Sequence, residues 1–418
     1  MKKTINFGIG FLAGRPNVCT IINNYHDILL KQFEGSDYEA KLNCYILFDT
    51  EYLKTERIEF YNVKTQVYQN IEIKYISPES ISEEKKKLES RYNITKKEAE
   101  LILGLGYAKS RNTIMYYALK EKVDYLLYWD DDEYPVASVL KENKDILWIK
   151  QKNLLEHCIA LEQADVTTGY RCGFMAPIPI FEYNENVVED DFKKFISGVS
   201  NEAVTWETVE EMQKNPSSIV YANYNIANGE VKATEITGIG KKNWVLGSGL
   251  GLNLKSLREF KEIPVFYNPP GARGEDAFYS IALNRINAKV MQVPTYHFHD
   301  SFLRYTEIMK EKFPKNFKRL NYKDGDLEER FRKACIGWVK YKPLLIYLTD
   351  RKNYTKIMKE VKSNLEQSIP KMNTIFPNCN FDILLEELYS YDENVRKHYN
   401  EYTKTTEIWN KIIKKLNE

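Results

Sequence analysis

Asp130, Asp131 and Asp132 stand at the end of the apolar run Val123-Asp124-Tyr125-Leu126-Leu127-Tyr128-Trp129. Three adjacent carboxylates raise one another's pKa unless a cation or several hydrogen-bond donors offset their charge. Mg²⁺ or Mn²⁺ would do so, since each takes one or two carboxylates and completes its shell with water and substrate phosphates. The plainer alternative is a solvated acidic turn leaving a strand. A second acidic pair, Glu275-Asp276, follows the loop Asn268-Pro269-Pro270-Gly271-Ala272-Arg273-Gly274 and precedes a helical pattern over 277–285. The positive end of a helix dipole stabilises an ionised base there, or Asp276 simply caps the helix. His297 and His299 lie two apart, so an extended chain turns both to one face. One of them could complete a metal's coordination, which would favour Mn²⁺ over Mg²⁺; a core or surface pair is the alternative. Arg111, near a helix start, reads as a contact to a base or phosphate, or as the partner of a carboxylate such as Asp49.

These residues need a scaffold, and the first third of the chain supplies a βαβ pattern. Residues 5–12 read as a buried strand, 18–33 as an amphipathic helix, and 42–48 as a second strand ending at Asp49. A helix over about 106–122, with Ala108, Ile114, Tyr117 and Ala118 on one face, leads into the strand that carries the aspartates. The fold class is therefore α/β, with a Rossmann-like, mostly parallel central sheet flanked by helices. Strand-end carboxylates in such a sheet sit where ligands bind. Between these units, 58–76 reads as edge strands, while the charge runs at 83–87 and 96–100 read as solvated helical faces. A helix is expected near 149–163 and a strand over 165–172. An irregular stretch with Pro177, Pro179 and Pro216 follows, reaching about Gly240, and it suits substrate-specific structure. From Tyr305 onward the pattern is helical, as over 345–365 and 381–416.

With 418 residues the chain exceeds the usual single-domain size, so a large α/β domain with an appended piece is expected. Lys and Arg number 60 against 59 for Asp and Glu, so no basic surplus exists to neutralise a nucleic-acid backbone. Nucleic acid is not an expected partner. Thirty tyrosines are enough for some rings to line a site. The six cysteines are scattered without a CxxC pair, which suggests neither a zinc site nor a disulfide framework and fits reduced thiols in the cytoplasm. The start, Met1-Lys2-Lys3 and the apolar 4–14, imitates a signal peptide, but Asn6 interrupts it and no cleavage site follows, so a first strand is expected. No run approaches the roughly 18 to 20 apolar residues of a transmembrane span. Peripheral contact with a membrane stays open.

In order along the chain stand Gly10-Phe11-Leu12-Ala13-Gly14-Arg15-Pro16, Asp49, Ala108-Lys109-Ser110-Arg111-Asn112, the triple aspartate, Gly247-Ser248-Gly249-Leu250-Gly251, Gly274-Glu275-Asp276 and His297-Phe298-His299. In this order and number they resemble GT-A fold glycosyltransferases, particularly the large family 2 type. The resemblance covers roughly residues 4–304. It implies a catalytic domain over 1–304, with a nucleotide-binding half to about 132 and an acceptor and sugar half over 133–304, and leaves 305–418 as a helical appendix.

What the resemblance implies is a metal-dependent, inverting transfer of a sugar from a nucleotide-diphosphate sugar, UDP-linked by preference, in a hexosyltransferase-type reaction. Asp132 would bind Mn²⁺ or Mg²⁺, with His297 or His299 as a further ligand, and Asp130 would reach the ribose or the metal through water. Asp131 would turn away from the ion. Ala13, Gly14, Arg15, Asp49 and Arg111 would line the nucleotide. Asp276 would be the base and Glu275 would orient the acceptor. Trp244 and Gly249 would form the floor under the sugar, although Trp244 serves equally well as core. Arg304, with Lys310, would clasp phosphate from a closing loop. The acceptor would be a glycan, a lipid-linked oligosaccharide or a peptide, and the C-terminal helices could pair two copies into a homodimer. Two other readings are a nucleotidyltransferase acting on sugar phosphates, for which no Gly-rich loop with Lys is visible, and an inactive glycan- or nucleotide-binding module.

Overall fold

In the computed structural model, residues 2–174, 177–179, 183, 185, 188–201, 204–214, 219–236, 244–301, 303–317 and 327–418 are described. Strand β1 (Lys3–Ala13) is buried without a break from Phe7 to Phe11, so it needs a neighbour on each side. Those neighbours are β2 (Tyr38–Phe48) and β4 (Tyr125–Asp130), both parallel to it, and β3 (Ile71–Ile76) extends the sheet beyond β2. Helix Asn17–Lys31 makes the first crossover, and helix Tyr107–Lys120 leads into β4.

Eight further strands follow: β5 (Glu133–Tyr134), β6 (Val136–Leu140), β7 (Ile146–Lys150), β8 (Val166–Phe174), β9 (Ile219–Val220), β10 (Thr234–Glu235), β11 (Leu250–Asn253) and β12 (Val290–Asp300). The main sheet runs β10-β12-β8-β11-β4-β1-β2-β3. It is mixed. β3, β2, β1 and β4 are parallel, β11 is antiparallel to both β4 and β8, and β8 is parallel to β12. The long strands therefore point one way with β11 reversed among them. The chain adds β2 and β3 on one side of β1 and β4 on the other, so the order reverses between β1 and β4. Open α/β sheets bind ligands at such a switch point, outside the carboxyl ends of the strands. Gly14-Arg15 and the triple aspartate lie there.

Three expected elements differ. Residues 58–76 yield a single strand, β3, preceded by the 3-10 turn Arg57–Tyr61 and the short helix Thr65–Tyr68. Reciprocal Glu56–Glu59 capping sets the turn, and Phe60 folds back onto Phe48 with ring centroids 5.0 Å apart. The helix expected from Ile149 begins at Asn153, because 146–150 pairs with β6 and plants Trp148 on Phe298 and Phe313. The stretch 345–365 is divided between helices Leu327–Thr349 and Tyr354–Ile375 by a turn in which Asn353 bonds the Asp350 carboxylate at 3.0 and 3.1 Å.

The middle stretch contains helices Glu189–Val199 and Trp206–Lys214; Pro216 and Gly240 lie outside the described residues. Helices Ile383–Glu393 and Val395–Asn417 complete the C-terminal region. This region shares the core. Trp409 and Ile412 join a cluster with Ile114 and Leu126, while Tyr341 and Tyr402 pack their rings on Phe278. All six cysteines are buried free thiols. No helix among the described residues is long and apolar enough to cross a membrane.

Candidate functional site

The ends of β1 and β4 meet through charge. The carbonyl of Ala13 accepts from the Asp49 amide at 2.9 Å. Gly14 has the Tyr52 ring directly against it, and the backbone N–H of Arg15 donates to Asp131 Oδ2 at 2.7 Å. The Arg15 guanidinium donates to Asp131 Oδ1 at 2.5 Å and to Asp132 Oδ2 at 3.1 Å. Burial pushes the Asp131 carboxyl up to about 7, Arg15 pulls it down, and Asp132 adds to the rise. Both Asp131 oxygens nevertheless accept from Arg15, a pattern that an ionised carboxylate satisfies. A guanidinium from the neighbouring strand end thus offsets part of the aspartate repulsion.

Asp132 keeps its other oxygen turned elsewhere. Oδ1 lies 3.6 Å from His299 Nε2, too far for a hydrogen bond, and His299 Nδ1 is buried with no bonding partner. His297 takes a different position. Its ring packs at a tilt on Trp129 with centroids 4.5 Å apart, and Nδ1 lies 3.6 Å from Glu133 Oε2. Burial holds this imidazole well below its usual range. Glu133, fully buried, accepts from the Ser248 hydroxyl and lies 3.5 Å from Arg171 Nε, while Arg171 Nη2 donates to Ser248 Oγ at 3.0 Å. Among the described residues, no group of three or more His, Cys, Asp or Glu side chains is arranged to hold a metal ion. Asp132 and His299 are therefore a two-donor arrangement. The gap between Asp132 Oδ1 and His299 Nε2 would leave room for a small cation that takes its remaining ligands from water and a substrate.

The second acidic pair opens helix Glu275–Arg285 after Gly274, whose φ of +94° suits glycine. Asp276 Oδ1 accepts from the Ala277 amide at 3.0 Å. Glu275 is buried, and both burial and Asp276 push its carboxyl up while Arg111 opposes them. Arg111 is the link between the clusters. Its Nη1 donates to the Gly247 carbonyl at 2.6 Å, Nε lies 3.5 Å from Glu275 Oε1, and Nη2 lies 3.6 Å from Asp130 Oδ1. Asp49 is not its partner; Asp49 Oδ1 accepts from the Glu51 amide at 2.9 Å.

The remaining predicted residues are spread more widely. Gly249, at φ +62°, donates its N–H to the Tyr128 carbonyl at 3.0 Å, and a Cβ there would come 3.2 Å from His297 Nδ1. Trp244 packs on the apolar cluster of the C-terminal helices. Arg304 is exposed in the loop after β12, its backbone N–H bonded to Asp300 Oδ1 at 3.0 Å, and Lys310 pairs with Glu307 at 3.0 Å. A cavity of about 400 Å³ opens at the ends of β2 and β3, where Phe48, Thr50, Arg57 and Pro78 line it beside Asp49 in the chain.

Sequence reasoning missed Glu133, Arg171 and Ser248. Glu133 directly follows the aspartates and Ser248 sits inside the quoted glycine motif, so both were within sight. Arg171 carries no local signal.

Neither a protein-family model nor a curated protein matches the chain. Among solved structures, the apo form of mouse xyloside xylosyltransferase 1 aligns over 79% of this chain and 94% of its own, at 11% identity and a TM-score of 0.25. A likeness at that score carries no argument about fold or activity.

Proposed function

We propose that this chain is an inverting glycosyltransferase of GT-A type that moves a sugar from a UDP-sugar, or another nucleotide-diphosphate sugar, to an acceptor hydroxyl. The observation that carries the reading is Arg111. One buried guanidinium lies between the strand-end aspartates, 3.6 Å from Asp130, and the helix-start acids, 3.5 Å from Glu275. A transferase needs these two halves in one crevice, one for the departing diphosphate and one for the incoming hydroxyl.

In this reading Asp132 and His299 hold Mn²⁺ or Mg²⁺, and His299 is preferred to His297 because its Nε2 faces Asp132. The bound ion would supply Lewis-acid neutralisation of the diphosphate. Asp276 takes the proton of the acceptor hydroxyl as its oxygen bonds to the anomeric carbon and the bond from that carbon to the diphosphate oxygen breaks. Glu275, with its carboxyl pushed up, orients the acceptor, and Arg111 fixes Glu275. Ala13, Gly14, Arg15 and Asp49 border the nucleotide, and the cavity beside Asp49 offers room for its base.

The test is calorimetry of UDP-, GDP- and CMP-sugars with and without Mn²⁺, on the wild type and on Asp276→Asn. Mn²⁺-dependent donor binding is expected in both, with transfer abolished in Asp276→Asn. Absence of Mn²⁺-dependent binding to every donor overturns the reading, and substantial turnover in the variant removes the base assignment.

A further inference from the structure

We propose that the C-terminal helices position the Glu275–Asp276 pair, with Tyr341 and Tyr391 as positioning residues; this rests on the transferase reading above. The loop 268–274 that delivers the pair is gripped from outside the crevice. Tyr341, buried in helix Leu327–Thr349, lays its ring flat against Gly274, where a Cβ would come 2.8 Å from the ring carbons Cγ and Cδ2. One turn earlier on the same helix face, Gly337 meets Arg273, with a Cβ position 3.1 Å from Arg273 Cδ. From helix Ile383–Glu393, the Tyr391 hydroxyl donates to the Pro270 carbonyl and lies 3.2 Å from the Cβ position of Gly271, whose φ is +71°. Tyr267, just before the loop, donates its hydroxyl to the His398 carbonyl at 3.2 Å.

The inner side of the loop is tied to the site. Asn268 accepts from the Ala108 amide at 3.0 Å and donates to the Ala272 carbonyl at 3.1 Å, and Ala108 belongs to the helix that carries Arg111. The loop thus lies between the helix bearing Arg111 and the C-terminal helices, and its two left-handed glycines are each packed against a tyrosine. A shift of Tyr341 would move the residue immediately before Glu275. Helix starts transmit such shifts to their first-turn side chains, and a misplacement of about 1 Å can cost about a hundredfold in rate.

The test uses the full chain with Tyr391→Phe, which deletes one hydroxyl and keeps the ring, and Tyr341→Ala, which opens the space behind Gly274. Tyr389→Phe is the control, because its hydroxyl bonds Glu366 at 2.8 Å on the solvent side of the same helix. Three quantities are read: amide exchange over 272–278, affinity for UDP with Mn²⁺, and turnover of UDP-glucose, UDP-galactose and UDP-N-acetylglucosamine. In both positioning variants, exchange should rise at least about tenfold, UDP affinity should stay within about twofold, and turnover should fall about a hundredfold. The control should change none of them. Wild-type exchange and turnover in Tyr391→Phe overturn the proposal, as does equal loss of UDP affinity and turnover. A wild type that binds none of UDP, GDP and CMP overturns the transferase reading instead, and the exchange rates of Tyr391→Phe still decide whether the helices hold the loop.

Discussion

Replacing Arg111 with methionine should uncouple the two acidic clusters, and a double-mutant cycle with Glu275→Gln can measure how much of the loss passes through Glu275. At 3.5 Å and an effective dielectric near 20, a unit charge pair attracts by about 4 to 5 kcal/mol before desolvation is counted. Arg111 is 4% exposed and Glu275 8%, so desolvation offsets much of that, and Asp130 shares the guanidinium. Removing one member of such a buried pair costs about 3 to 5 kcal/mol, because the carboxylate left behind keeps its desolvation penalty. Here the Gly247 carbonyl also loses its 2.6 Å donor. Glu275→Gln removes the charge that Arg111→Met strands, so the double variant should be more stable than the sum of single effects predicts, by about 1 to 3 kcal/mol.

The pH dependence supplies a second check. The Glu275 carboxyl is already raised by burial and Asp276, and loss of Arg111 raises it further. A carboxyl raised in the folded state contributes stability below its unfolded pKa and loses it as pH rises through the folded pKa. The deficit of Arg111→Met relative to wild type should therefore shrink as pH falls from 7 towards 4. Urea unfolding of the four proteins at both ends of that range is the assay. Additivity within about 0.5 kcal/mol, or a deficit that does not shrink in acid, would refute the assignment of Arg111 as the link.

Two further predictions concern residues packed around the glycine motif 247–251. His157 is completely buried, with Nδ1 2.7 Å from Thr167 Oγ1, and burial pushes its imidazole down to about 3. The unfolded chain takes that proton near 6.5, so the stability from keeping His157 neutral is present above that pH and disappears as pH falls towards 3, a change on the order of 4 kcal/mol. Thermal unfolding should show this acid loss, and His157→Asn should flatten it; an unchanged slope in the variant contradicts the assignment. Gly249→Ala places a Cβ at φ +62° and 3.2 Å from His297 Nδ1, which should lower stability by about 1 to 2 kcal/mol. A urea midpoint equal to the wild type would show that the backbone and His297 relax at no cost.

The strand-end location of the aspartates was readable because a long apolar run bounded by charge can satisfy its backbone only inside a sheet, and β4 lies between β1 and β11. The reversed strand β11 was not, since it has only four residues and the first two, Leu250 and Gly251, belong to a glycine motif with no strand pattern of its own. Period-two spacing turned His297 and His299 to one face, but spacing says nothing of depth. β12 stays buried to its last residue, with Phe298 and Asp300 fully covered, yet His297 is sealed beneath Trp129 while His299, two residues on, is partly exposed and faces Asp132. Partner choice was the least legible feature. Arg111 meets Glu275 across 164 positions, and the docking of helix Tyr107–Lys120 on Gly247, Phe266 and Asn268 brings them together.

The arginines divide the acids of the crevice, and the division bears on which ones are free to act. Arg15 occupies Asp131 and one oxygen of Asp132, Arg111 lies between Asp130 and Glu275, and Arg171 is matched with Glu133. Each guanidinium comes from a different element, so the neutralisation does not depend on any one loop. Among the described residues, Asp132 Oδ1 has no arginine facing it and Asp276 has no salt bridge. A carboxylate oxygen that already accepts from a guanidinium has its lone pairs engaged and is a poorer base and ligand than one left open. The two positions left without such a tie are the ones a transferase would need open, one toward His299 for a cation and one at a helix start for a proton.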